Sequence, residues 1–300
     1  MTTTGDYIKM HFLVFLWGFT AILGKLITIP AVEMVFLRTL VATIGMALVI
    51  WFRKDVFKIK KGDTILLIFT GFVVGAHWIT FFGSARISNV SVSLVGFATT
   101  SLWTAILEPL SKGEKIRGYE VVLGCLVIVG IVIIFSFDFQ YQLGFLVAIL
   151  SGILAAVFSI ITSKAAKRIS PYAITFYEMF GAVLGILLFL PFYQKYLATD
   201  GRLHLIPTFL DWFYIAILAL VCTVYAFTVM VEIMKRVSVF FIQLTINLEP
   251  IYGIIMALII FRDEEKMKGN FYLGTLVILS AVLLYPYIKR KFDKTFVSNA

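Results

Sequence analysis

The sequence predicts an all-α membrane protein, with ten transmembrane helices arranged as two inverted five-helix repeats. Three observations carry this prediction. The 300 residues are 61% hydrophobic and only 14% charged, whereas a soluble domain is about half apolar and about a quarter charged. The apolar residues gather into ten runs, each near the ~20 residues that a helix needs to cross a hydrocarbon core. Lys and Arg concentrate in alternate connections between those runs.

Backbone groups in lipid must pair within their own segment, so each run is read as a helix. The first, 8–28, follows the short polar start Met1–Tyr7, which lacks a signal-peptide cleavage pattern, so the run is read as retained. The second, 33–52, opens after Ile29-Pro30, a join where proline starts or stops a helix. Runs 64–84, 90–111 and 119–137 complete the first set. The second set is 143–166, 171–193 (opened by Ser170-Pro171), 210–234, 238–261 and 270–288. Only the connection Gln194–Phe209, with Gly201 and Pro207, is long.

Charge orients the chain. With both termini cytoplasmic, the cytoplasmic segments hold 18 of the 26 Lys and Arg, and the outer segments hold 6. This is the positive-inside pattern. The net charge of +9 is thereby assigned to topology, and a nucleic-acid partner is not needed to explain it. Cys125 and Cys222 lie inside apolar runs and His11, His77 and His204 are scattered, so neither a disulfide framework nor a metal site is expected. No phosphate-binding Gly-x-x-x-x-Gly-Lys-Ser/Thr loop is present, and no cofactor is expected.

The halves, 1–140 and 141–300, resemble each other. Ala85-Arg86-Ile87-Ser88 aligns with Lys235-Arg236-Val237-Ser238 at an offset of 150, as do Glu114 with Glu264 and Gly124 with Gly274. At an offset of 140, Arg38, Ala42 and Gly45 align with Glu178, Ala182 and Gly185. Five spans per half place the second copy upside down, a plan common among secondary transporters, which hold substrate between the halves.

Trp17-Gly18, Lys25, Pro30, Leu37-Arg38, Ala42 and Gly83-Ser84-Ala85 in the first half, with Pro250, Glu264 and Gly274 in the second, resemble the EamA-type members of the drug/metabolite transporter superfamily. The resemblance covers nearly the whole chain. It departs at Thr100, where the repeat would place a proline matching Pro250; the first half has Pro109 instead. The resemblance implies ten helices, a central cavity and export of metabolites or amphipathic compounds. The expected function is secondary transport of small metabolites, amino acids or amphipathic compounds by alternating access. A proton or other ion gradient would drive it, or transport would be facilitated diffusion, in a cell inner (plasma) membrane. A channel, which should show rings of like charge, or a non-transporting membrane sensor is the alternative. A membrane-embedded enzyme, which needs convergent catalytic groups, fits the scattered polar residues less.

Charge inside a span is costly, so Glu249, Arg38 and Lys25 are candidates for substrate binding or coupling. Glu249 precedes Pro250, which removes a backbone donor and breaks the helix near mid-membrane. There it would exchange protons or hold a cationic substrate group. Gln243, Asn247 and Pro250 share one helical face, while Glu249 shares another with Tyr252; one face is expected to line the cavity. His77 either relays protons or hydrogen-bonds between helices. Trp17, Trp78 and Tyr252, with Trp103, Tyr177 and Tyr225, are candidates for an aromatic wall. Arg38 and Glu178 are read as a gate pair, as a carboxylate/ammonium reader, or as packing residues. Glu108 shares a face with Thr100 and Thr104 and reads either as part of that polar face or as an interfacial carboxylate near Lys112, and Glu232 with Lys235 and Arg236 reads as a helix-end ion pair. Gly71-x-x-x-Gly75, Gly181-x-x-x-Gly185 and the row Ser151, Ala155, Ser159 are close-packing signals.

Overall fold

In the computed structural model, seven stretches are helical, long and apolar enough to cross a membrane: Thr4–Leu26, Ala31–Arg53, Lys61–Ile87, Val90–Leu110, Gln142–Ala166, Pro171–Tyr196 and Phe209–Met234. The structure describes residues 4–55, 57–116, 118–135, 141–198, 200–237, 239–246, 248–265 and 267–298. Among them there is no strand.

Several of these stretches are built from two pieces. The first comprises α1 (Thr4–Gly18) and α2 (Thr20–Leu26). Next come α3 (Ala31–Arg53), α4 (Lys61–Ile87), the pair α5 (Val90–Phe97) and α6 (Thr100–Leu110), and α7 (Gly118–Phe135). The second half runs through α8 (Gln142–Ala166), α9 (Pro171–Tyr196) and α10 (Phe209–Ala216). A π-helical segment, Ile217–Tyr225, joins α10 to α11 (Ala226–Met234). Then follow α12 (Val239–Ile246), α13 (Glu249–Phe261), a 3-10 turn at Arg262–Glu265 and α14 (Gly269–Ser298).

Local chemistry sets the ends. Pro30 precedes α3, and Lys54 stops it at φ 52. Asn89 caps α5 by accepting from the Val92 N–H, and Thr208 and Asp211 form a reciprocal capping box on α10. The mid-span breaks are stitched by hydroxyls. Thr20 Oγ1 donates to the Trp17 carbonyl at 2.7 Å, Thr99 Oγ1 to Gly96 at 2.7 Å and Thr100 Oγ1 to Phe97 at 2.6 Å. Hydroxyls of this kind add partners for carbonyls that a break takes out of the regular helical ladder.

Helix α4 is the centre of the packing, lying against α8 and α9, while α3 packs on α9 and on the π segment, and α7 on α14. The α4–α9 contact is backbone on backbone. A Cβ at Gly71 would collide with the Glu178 carbonyl, and one at Gly181 with the Ile68 carbonyl. Only glycine permits this approach. Outward faces stay apolar, as at Trp51, Phe52 and Leu188, which are 67%, 73% and 75% exposed; lipid is the solvent that suits them. The helix-end ion pairs form: Lys112 with Glu108 at 2.8 Å, and Glu232 with Lys235 and Arg236 at 2.7 and 3.2 Å. Arg236 also makes a two-point contact with buried Asp6; that hydrogen bond holds the guanidinium above its ordinary range.

Candidate substrate cavity

The breaks in the helices converge on one cavity, lined by residues of α1 through α5, α8, the π segment and α11 through α13. Its polar equipment comes from few residues. Arg38 of α3 is 2% exposed. Its guanidinium carbon sits 3.9 Å from the centre of the Trp78 ring and 5.6 Å from that of Phe82. Stacking of this kind suits the planar guanidinium and not an ammonium. Nε donates to Thr223 Oγ1 at 3.1 Å; the terminal nitrogens have no hydrogen-bond partner among the described residues.

The π segment makes that site. Thr223 Oγ1 donates to the Leu218 carbonyl, five residues back, at 2.8 Å. The Ala226 N–H turns to Val221 and Thr223. In an α-helix it would bond Cys222. The freed Cys222 carbonyl accepts the Trp17 indole N–H at 3.0 Å. One irregular segment thus orients both Arg38 and Trp17.

Across the cavity Glu249 is 4% exposed and within electrostatic reach of Arg38. The two form neither an ion pair nor a hydrogen bond. His77 lies among the rings of Phe81, Phe97 and Phe158, 5.4–6.2 Å away centre to centre. Its Nδ1 is 3.0 Å from the Ser151 carbonyl, and Ser151 Oγ lies 3.1 Å from the His77 carbonyl. A carbonyl only accepts, so this network assigns the proton to Nδ1 and leaves Nε2 as an acceptor. Gln243 Nε2 donates to Ser159 Oγ at 2.7 Å, while its buried Oε1 has no partner.

Arg38, Glu249, His77, Trp17, Trp78 and Gln243 all line the cavity. The sequence puts Gln243 and Glu249 on different helical faces; the break between α12 and α13 turns both inward. Pro250 sits in the first turn of α13, where a missing N–H costs nothing. Neither Pro250 nor Tyr252 is among the lining residues; Tyr252 packs over Gly18 and edge-on to Phe15. Lys25 is also outside the lining, near the end of α2, with its ammonium 4.4 Å from the Phe261 ring centre. Asn247 lies outside the described residues. Arg38 and Glu178 do not meet: Glu178 accepts from Thr162 instead. The aromatic wall is phenylalanine, with Phe81, Phe82, Phe97, Phe158 and Phe227 beside the two tryptophans. With 29 phenylalanines in the chain, no single one stood out.

The cavity volume is about 80 Å³, small beside the roughly 300–1,000 Å³ of ligand pockets.

The sequence model of the EamA-like transporter family matches residues 7–136 and 142–286. This chain belongs to the EamA-like transporter family. Two relatives from Bacillus subtilis (strain 168) are described as uncharacterized transporters. YetK is 24% identical over 300 residues, covering 96% of this chain and 89% of its own. YxxF is 21% identical over 257 residues, covering 83% and 79%. A solved crystal structure has the same fold with a TM-score of 0.69 at 14% identity, covering 97% of this chain and 100% of that one. This EamA-like protein is accordingly a multi-pass membrane transporter.

Proposed function

We infer that this EamA-like transporter exports small zwitterions carrying a large apolar or aromatic group, by alternating access. The observation that carries this reading is the pairing of Arg38 and Glu249. A guanidinium and a carboxyl group face one phenylalanine- and tryptophan-walled cavity without bonding to each other. Burying opposite charges apart is costly, and a ligand that brings both a carboxylate and an ammonium offsets that cost. Arg38 reads the carboxylate, Glu249 the ammonium, and the rings take the apolar body.

The reading includes ten membrane-spanning helices in two inverted repeats, 1–140 and 141–300, with both termini cytoplasmic in the inner (plasma) membrane. Two observations support the repeats. The family model matches in two stretches, one per half. The break between α5 and α6 recurs 149 residues later between α12 and α13, at Phe97/Thr100 and Ile246/Glu249. Interrupted helices at corresponding positions of two halves point to the binding site of an inverted-repeat carrier. The cavity must widen to take a zwitterion, and rocking of the halves supplies the space.

The test is counterflow of tritiated L-phenylalanine into proteoliposomes preloaded with unlabelled L-phenylalanine. Wild type is expected to exchange label, and Glu249→Gln to exchange far less. Equal counterflow in the variant, or none in wild type, would remove the zwitterion reading.

A further inference from the structure

Helix α8 carries a row of side-chain hydroxyls that the cavity alone does not explain. Ser151, Ala155, Ser159 and Thr162 fall at spacings of four, four and three residues, hence on one face. Each hydroxyl in the row meets a different helix. Ser151 meets His77 of α4, Ser159 meets Gln243 of α12, and Thr162 donates to Glu178 Oε1 of α9 at 2.7 Å. The row covers about 16 Å at 1.5 Å rise per residue. Ser159 lines the cavity and Thr162 does not. The row therefore leaves the cavity and ends on a carboxyl group outside it.

Glu178 is unusual. Its relative exposure is 0%. Its second oxygen, Oε2, has no partner. Helices α3, α4, α8 and α11 all pack on α9. From mid-helix toward this end they carry Arg38 and Arg53, Lys61, Asp63 and His77, Lys164, and Glu232. None hydrogen-bonds to Glu178 or pairs with it. A lone carboxylate in such a place costs several kcal/mol unless compensated, and an unmatched buried polar atom calls for a reason. The surroundings are rigid on one side, because the Glu178 carbonyl is where a Cβ at Gly71 would collide.

We propose that Glu178 is a proton-binding site of this transporter, separate from the cargo site and held by Thr162 one helical turn along α8 from the cavity-lining Ser159. The carboxylate takes up one proton to become the neutral acid and later releases it; no other reactant is consumed. Thr162, which donates to Glu178 Oε1, stands one helical turn along α8 from Ser159 of the cavity lining, so the proton's way in is placed on that side. At the repeat offset of 140, Glu178 is the counterpart of Arg38, which faces the cavity. The release step rests on the two-repeat reading above: when the halves exchange shapes, the Glu178 position acquires the cavity-facing surroundings that Arg38 has here. This site would make export of the zwitterion respond to a proton gradient.

Infrared pH-difference spectroscopy on the protein in lipid nanodiscs tests the site without any cargo. Wild type is expected to show a titrating carboxyl C=O band that Glu178→Gln lacks and Glu249→Gln keeps. Thr162→Val should shift the frequency of that band, because its hydrogen bond is gone. Glu178→Asp, which keeps the acid if Glu178→Gln does not fold, should shift the band too. An unchanged set of titrating bands in the Glu178 variants overturns the proposal. In proteoliposomes, Glu178→Gln should keep counterflow of tritiated L-phenylalanine and lose its accumulation under an imposed pH gradient. Wild-type accumulation in that variant also overturns the proposal. Absence of counterflow in wild type would instead sink the zwitterion reading, and the infrared band would still decide Glu178.

Discussion

Arg38→Lys keeps the charge and removes the geometry. The guanidinium carbon lies 3.9 Å from the Trp78 ring centre and Nε is held by Thr223, with Arg38 in the cavity lining. An ammonium on a flexible stem offers a point charge with no fork and no stacking plane. Losing one hydrogen bond to a charged group costs about 1.5–3 kcal/mol. At about 1.4 kcal/mol per tenfold, the dissociation constant for a carboxylate ligand should rise by roughly ten- to a hundredfold. Three probes isolate the effect by calorimetric titration of the detergent-solubilised protein: L-phenylalanine, phenethylamine (no carboxylate) and 3-phenylpropionate (no ammonium). Arg38→Lys should weaken L-phenylalanine and 3-phenylpropionate by that factor and leave phenethylamine unchanged. Glu249→Gln should do the converse, weakening L-phenylalanine and phenethylamine only. Melting temperature serves as the folding control. If Arg38→Lys weakens all three probes alike while the protein stays folded, the division of labour between the two residues is wrong.

The α4–α9 contact predicts a graded response to added methyl groups. Gly71→Ala and Gly181→Ala drive a Cβ into backbone carbonyls and should destabilise by about 1–3 kcal/mol. Gly75→Ala meets Ala182 at an ordinary 3.5 Å and should melt close to wild type. Outside the membrane, the Asp200 carboxyl is held below its usual range, chiefly by the Arg202 backbone N–H and then by His204. A lowered carboxyl keeps its contribution above the unfolded value and loses it as pH falls through the folded one. Hydrogen exchange at Arg202 should therefore stay slow through the ordinary aspartate range and rise only below it, and Asp200→Asn should raise it at neutral pH. For topology, reporter fusions at both termini should read as cytoplasmic; termini on opposite sides would exclude ten spans.

Helicity and the seven long apolar spans were legible because hydropathy is summed over some twenty residues. Arg38 and Glu249 were legible because charge stands out against lipid. Other features were hidden for physical reasons. Phe82 is buried at 1% and Phe52 exposed at 73%, yet both sit in apolar runs, since lipid and protein interior select the same residue. Helical-face reasoning separated Gln243 from Glu249 because it assumes an unbroken helix, and α12 ends before α13 begins. Lys25 drew attention as an intramembrane cation, but it packs on Phe261 near the end of α2. Nothing in the apolar run Ile217–Tyr225 announces π geometry, because the segment contains neither proline nor glycine. Thr223 is the one polar hint within it. The Ser151–Ala155–Ser159 row was visible as small residues; what its hydroxyls meet was not.

The polar accounting separates what holds the fold from what awaits a partner. Each break frees backbone groups at membrane depth, where a missing hydrogen bond has no water to replace it. The carbonyls of Trp17, Gly96, Phe97 and Cys222 are each claimed by a threonine or by the Trp17 indole. A backbone satisfied this thoroughly does not explain why side chains beside it are left open. Gln243 Oε1, Glu178 Oε2, Glu33 Oε2 and Arg86 Nε are buried without partners, and Arg38 and Glu249 line one cavity unbonded. A structural network would be expected to close on itself, since half-satisfied networks are worse than apolar packing. Gln243, Arg38 and Glu249 sit in the cavity and Glu178 is bonded to a hydroxyl one turn from its lining, and this placement is the reason to assign these four, unlike Glu33 and Arg86, to a cargo and to protons rather than to stability.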